Sequence, residues 1–270
     1  MMTSHDFPET VIAGVHTAVA SALPCEALPV RNALFLLLSG QNIPIRALVT
    51  CSLYPEQSGI DAGTALDLIH IGLQQLHSRV DATTGASALL GTGATVLAGD
   101  YLTTGAFRLL VRCTDRQVLA LVSDAVNRAS ELEAASLGLD QRSPYDPSRL
   151  RLLAAPLGEA AGTTGATLAG YPELLVGTAR RYAEYLVSSY VLRQEADDMA
   201  PSQARTALHG AALDLCLLAT EEAWAPAELL ARYRKLHLFD VDLAQAGGVS
   251  FRESAATASG DEVVVAPTPL

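Results

Sequence analysis

The segment DAGTALDLIHIGLQQLHSRVD, residues 61–81, constrains the fold most. Leu66, Ile69, Leu73 and Leu76 recur at intervals of three, four and three. That spacing puts them on one face of an α-helix and does not fit the alternation of a half-buried strand. Asp61 stands where it can cap this helix. Similar helical stretches follow one another along the chain. They run from Pro8 to Ala22, through RNALFLLLSG to Gly40, and from Pro44 to near Pro55. Further stretches lie in TVLAGDYLTTGAFRLLVRC, DRQVLALVSDAVNRASELEAASLG and YDPSRLRLLAAPLGEAAGTTGATLAG. The last three are PELLVGTARRYAEYLVSSYVLRQEADDMA, ARTALHGAALDLCLLATEEA and APAELLARYRKLHLF.

Alanine and leucine dominate and aromatics make up only 5%, which favours helices over sheets. Neither strand alternation nor an interdomain linker interrupts the series. The expected organisation is one all-α domain over residues 1–243, followed by a small, polar and mobile tail over 244–270. ATTGASALLGTGA, between two of the helices, reads as a glycine and threonine linker. Val96, Leu97, Leu102, Phe107 and Leu110 give the helix after it an apolar side.

The formal charge is −11, which repels nucleic acid in the absence of a basic patch. Lys235 is the one lysine; the other basic side chains are arginines. Cys25, Cys51, Cys113 and Cys216 are far apart in sequence, so each reads as a buried thiol of a cytoplasmic protein rather than a clustered metal or redox site. The N-terminus has no basic start or apolar core of an export signal, and no apolar run reaches the roughly 18 residues of a membrane span. His70 and His77, seven residues apart, fit either a metal pair or ordinary core and surface histidines. Asp197 and Asp198 fit a solvated helix end, and the glycines of GTGATVLAGD allow close helix approach or a turn.

Read in order, LDLIHIGLQQLHSRVD and GTGATVLAGDYLTTGAFRLL resemble the centre of a trans-isoprenyl diphosphate synthase. That family has an Ile-His pair, a DDxxD motif and then a helix of the form AVLxGDYLLxxAF. Ile69 and His70 match the pair, and Ala94, Leu97, Gly99, Asp100, Tyr101, Leu102, Ala106 and Phe107 match the helix. The similarity spans roughly residues 30 to 240. It implies an isoprenoid synthase (terpenoid synthase) type of helical bundle with a central cavity, lined here by His70, Tyr101 and Tyr190.

The same resemblance exposes what has changed. His77, Ser78, Arg79 and Asp81 fall in the first aspartate-rich motif, where only Asp81 keeps an acid. Acids one turn apart offer several oxygens to Mg²⁺; one carboxylate beside an arginine does not. Arg79 is suited either to a phosphate or to pairing with Asp81. In the second motif Gln194 and Glu195 replace the leading acids, Asp198 matches the final one, and a shifted register would recruit Glu195 or Asp197. Gln41 stands in place of an early lysine of the family, with Arg46 one residue away as a partial phosphate contact. The middle Lys-Thr pair falls at Leu153 and Ala154. Carboxylates for the metal and cations for the diphosphate have gone together, and a multiply charged ligand in an apolar cavity needs both.

The resemblance therefore implies a non-catalytic or accessory subunit of a heteromeric polyprenyl diphosphate synthase. No cofactor is expected in this chain, and Mg²⁺ is expected in a homologous catalytic partner; failing that partner, a homodimer is expected. Phe107 and Leu110 are candidates for the interface or for the internal core. The alternatives are a divergent stand-alone prenyltransferase or terpene cyclase with a rebuilt site, and an isoprenoid-binding protein.

Overall fold

The structure, a computed structural model, describes residues 6–24, 43–79, 88, 91–113, 115–138, 145–198 and 200–223. These residues form an all-helical assembly with no strand among them. The helices expected at 31–40 and 225–239, the linker at 82–87 and the tail 244–270 lie outside the described residues. In chain order the helices are α1 (Asp6–Ala22), α2 (Ile45–Leu53), α3 (Gln57–His70) and α4 (Thr92–Leu110). They continue with α5 (Arg116–Gly138), α6 (Pro147–Leu168), α7 (Glu173–Asp198) and α8 (Ser202–Ala223).

Residues 61–81 are not one continuous α-helix. α3 starts earlier, at Gln57, so Asp61 is an internal residue that accepts from Gln57 Nε2 at 2.8 Å rather than a cap. Beyond His70 the chain widens into a π-helix, Ile71–Leu76, and then tightens into a 3₁₀ turn, His77–Arg79. Such π segments concentrate at functional positions because they re-aim the side chains that follow. α6 begins as its sequence dictates: Pro147 takes the first turn, where no N–H is needed, and Asp146 accepts from Ser148 N at 3.0 Å.

α6 packs most extensively on α7, which also carries α8; α2, α3 and α4 pack side by side around α6. Small residues set these distances. A Cβ on Gly162 would stand 2.2 Å from Ala179 O, and one on Gly165 would stand 2.7 Å from Thr50 O. Leu66, Leu102 and Leu157 are fully buried, and each contributes about 1.5–3 kcal/mol from area removed from water. Leu192, Leu208 and Leu215 join α7 to α8.

On α4 the buried side is Thr95, Ala98, Gly99, Leu102, Gly105, Ala106, Leu109 and Leu110. Val96, Leu97 and Phe107, expected on its apolar side, instead face outward. Leu110, at 2% exposure, belongs to the protomer's own core and does not form an interface. Cys51, Cys113 and Cys216 are buried thiols, while Cys25 lies outside the described residues. Burial pushes the Cys51 thiol up to about 12 and that of Cys113 up to about 11. Both are therefore protonated and unreactive at neutral pH.

Candidate functional site

The two altered motifs meet. Arg79, at the end of the 3₁₀ turn, donates through Nη2 to Glu195 Oε1 on α7. The guanidinium thus sits on an acid of the second motif, as a divalent cation would. Asp81 is outside the described residues, and so is the side chain of Asp198. Asp197 is turned outward towards α8, 3.3 Å from His209 Nε2, and Gln194 is half-buried beside Glu195. Among the described residues no three His, Cys, Asp or Glu side chains converge to hold a metal ion. Glu195, already neutralised by an arginine, does not fit Mg²⁺.

The other two residues of the first motif are bound locally. Ser78 Oγ donates to Gln74 O at 2.6 Å. His77 Nε2 lies 3.1 Å from Val96 O and 3.3 Å from Asp100 Oδ1, on α4. Its approach requires Gly99, where a Cβ would stand 2.3 Å from His77 Nε2; Gly72 and Gly99 also bring the two backbones together. The glycine in LAGDYL therefore has a packing reason, as a close helix approach.

Behind Arg79 runs a chain of buried polar groups. His70 Nδ1 is 2.6 Å from Gln74 Oε1, and Gln75 Nε2 is 3.3 Å from His70 Nε2. Both ring nitrogens are satisfied by a neutral imidazole protonated on Nδ1. Burial, reinforced by the Arg46 charge, holds His70 well below the ordinary imidazole range. Gln74 Nε2 donates to Leu153 O at 2.5 Å, and Gln74 also bonds Glu133 of α5. Burial raises the Glu133 carboxyl, against the opposing pull of Arg149 and Arg79.

Arg46 is not a surface phosphate contact. It is 2% exposed and faces Asp67, with Nη1 3.5 Å from Oδ1. The same carboxylate accepts from the backbone N–H of Arg46 at 3.2 Å and of Ala47 at 3.0 Å, so Asp67 of α3 caps the first turn of α2. Burial raises Asp67 to about 6 although the arginine and both N–H groups oppose it; burial likewise lowers Arg46. Arg46 Nε and Nη2 have no hydrogen-bond partner. Tyr190 approaches the same group from α7 and accepts from Ile43 N at 3.0 Å. The structure thus brings His70 and Tyr190 together around Arg46, while Tyr101 lies half-buried on α4. Asp67 and Glu133 were missed from the sequence. A carboxylate two residues before an Ile-His pair, and one in a charged helix, carry no local mark of burial.

No family model matches the chain. Octaprenyl diphosphate synthase of Haemophilus influenzae is 30% identical over 125 residues, 45% of this chain and 37% of that protein. The match thus spans little more than a third of the relative's length. Solved structures match far more of the chain. Geranyltranstransferase of Thermotoga maritima has a TM-score of 0.67 at 16% identity, over 90% of this chain and 98% of its own. Polyprenyl synthase of Caulobacter crescentus, complexed with calcium and isoprenyl diphosphate, has a TM-score of 0.63 at 21% identity, over 86% and 95%. Heptaprenyl diphosphate synthase of Staphylococcus aureus reaches 0.64 at 13%, over 90% and 98%. The described helices therefore adopt the all-α fold of the isoprenoid synthases.

Proposed function

We propose that this chain, a member of the trans-isoprenyl diphosphate synthase family, acts in the cytoplasm as a non-catalytic or accessory subunit of a heteromeric polyprenyl diphosphate synthase. The Arg79–Glu195 ion pair carries this reading. In the family the two aspartate-rich motifs hold Mg²⁺ for an allylic diphosphate. Here a cation from the first motif neutralises an acid of the second, within the protein. A diphosphate entering that space meets neither a metal cluster nor an uncommitted lysine, and its desolvation goes uncompensated.

The catalytic partner, with its Mg²⁺, would ionise the allylic diphosphate, join it to isopentenyl diphosphate and release a proton. This chain would supply the outward face of α4, whose apolar part is Leu97, Phe107 and Val111. Association there is driven by buried area and does not need the lost charges. Co-expression with a homologous chain that keeps both DDxxD motifs is the test. The two should co-purify and make a prenyl diphosphate that this chain alone does not. Failure of every such homologue to bind it would reject the reading.

A further inference from the structure

The outward face of α4 reads nearly the same in both directions about Thr104. Seven residues before it is Leu97 and seven after is Val111, the two most exposed apolar side chains of the helix at 69% and 76%. Four residues before is Asp100 and four after is Arg108, both exposed and opposite in charge. Three residues before is Tyr101 and three after is Phe107, both aromatic.

We propose that this face binds a second copy of the same chain, with the two α4 helices antiparallel and a two-fold axis passing at Thr104. The proposal rests on the reading of α4 as the association surface and names the partner that fits it. A two-fold contact is isologous, so each residue must suit the residue reflected through the axis. Antiparallel pairing about Thr104 sets Asp100 against Arg108 twice, Leu97 against Val111 twice and Tyr101 against Phe107 twice. A parallel pairing would instead face each charge with its own like.

The shape agrees with the pattern. Beside the C-terminal half of α4, against the end of α1, lies an open groove of about 560 Å³ lined by Ser21, Thr104, Phe107, Arg108, Val111 and Arg112. Leu97 projects from the other half of the helix. The two-fold carries the Leu97 of each copy onto the groove of the other, so that one protruding leucine fills one groove on each side. Arg112 donates to Ser21 Oγ at 2.8 Å and Arg108 to Ala22 O at 3.3 Å, which holds the groove's rim in place before the partner arrives. For a chain of net charge −11, a contact carrying Arg108 and Arg112 also relieves the repulsion between copies.

The experiment is sedimentation velocity on the purified full chain and on charge-reversed variants, with circular dichroism to verify folding. The wild type is expected to be a dimer. Asp100→Arg and Arg108→Asp should each weaken it at least about tenfold, because each places like charges together twice. An equimolar mixture of these two variants should recover the dimer, and so should the double variant, since both restore opposite charges across the axis. A monomeric wild type, or a dimer indifferent to both reversals, or variants whose mixture stays monomeric, would overturn the proposal. A monomer that still activates a homologous synthase overturns only the second copy. A charge-dependent dimer that binds no homologue overturns only the accessory role.

Discussion

Arg79 of the first altered motif donates to Glu195 of the second, closing with a salt bridge the space between the 3₁₀ turn after α3 and the end of α7. The pair is part-buried, so its bond is stronger than that of a surface pair and leaves a costly orphan when broken. Arg79→Met should lower the unfolding free energy by about 1–3 kcal/mol in chemical denaturation. Magnesium at millimolar concentration should leave the wild-type melting temperature unchanged. Arg79→Asp, which replaces the cation by a second acid, should make that temperature rise with magnesium, as binding to the folded state requires. A wild-type protein already stabilised by magnesium would contradict the assignment.

The Arg46–Asp67 pair gives a sharper stability test, because both groups are buried. Asp67→Asn leaves an uncompensated guanidinium inside the bundle and should cost about 3–5 kcal/mol. Removing the charge as well, in Arg46→Met with Asp67→Asn, should cost less than Asp67→Asn alone. Equal or greater loss in the double variant would show that the pair's worth lies in the capping of α2 instead.

Acid should act on His70 in a defined direction. Its folded pKa is held below the unfolded value, chiefly by burial, so its contribution is present above about pH 6.5 and is lost as pH falls. Asp67 works the other way: its raised pKa of about 6 gives a contribution present at low pH and lost as pH rises through that value. Comparing wild type with His70→Gln separates the two. The wild type's advantage should shrink between about pH 7.5 and pH 5, and an advantage constant over that range would contradict a buried neutral imidazole.

Much of the architecture was legible in the sequence, because the periods of 8–22, 44–55 and 116–138 report one buried face each. α4 misled because burial there is carried by Ala98, Gly99, Gly105 and Ala106, small residues that a count of large apolar ones overlooks. At the site, the sequence marked Arg79 and Glu195 as substitutions in the two motifs but not as partners, since they are 116 residues apart. The Arg46–Asp67 contact was hidden for the same reason: charge identity is local, whereas pairing depends on how the helices cross.

The glycines of α6 make a further prediction about packing. Gly162→Ala would put a methyl group 2.2 Å from Ala179 O and 2.6 Å from Ala183 Cβ. Backbone cannot yield as a side chain does, so α6 and α7 must separate. A loss of about 1–3 kcal/mol is expected in chemical denaturation. Unchanged stability would mean that the two helices are not in contact at this point.

The most direct measurement is incorporation of isopentenyl diphosphate into an allylic diphosphate by the purified chain alone, with magnesium in excess. An internal arginine on Glu195 in place of a metal requires that no product form above the protein-free blank, and that product appear when a homologous chain with both acidic motifs is added. Turnover by the isolated chain at an ordinary enzymatic rate, about 1 per second or faster, would contradict the account.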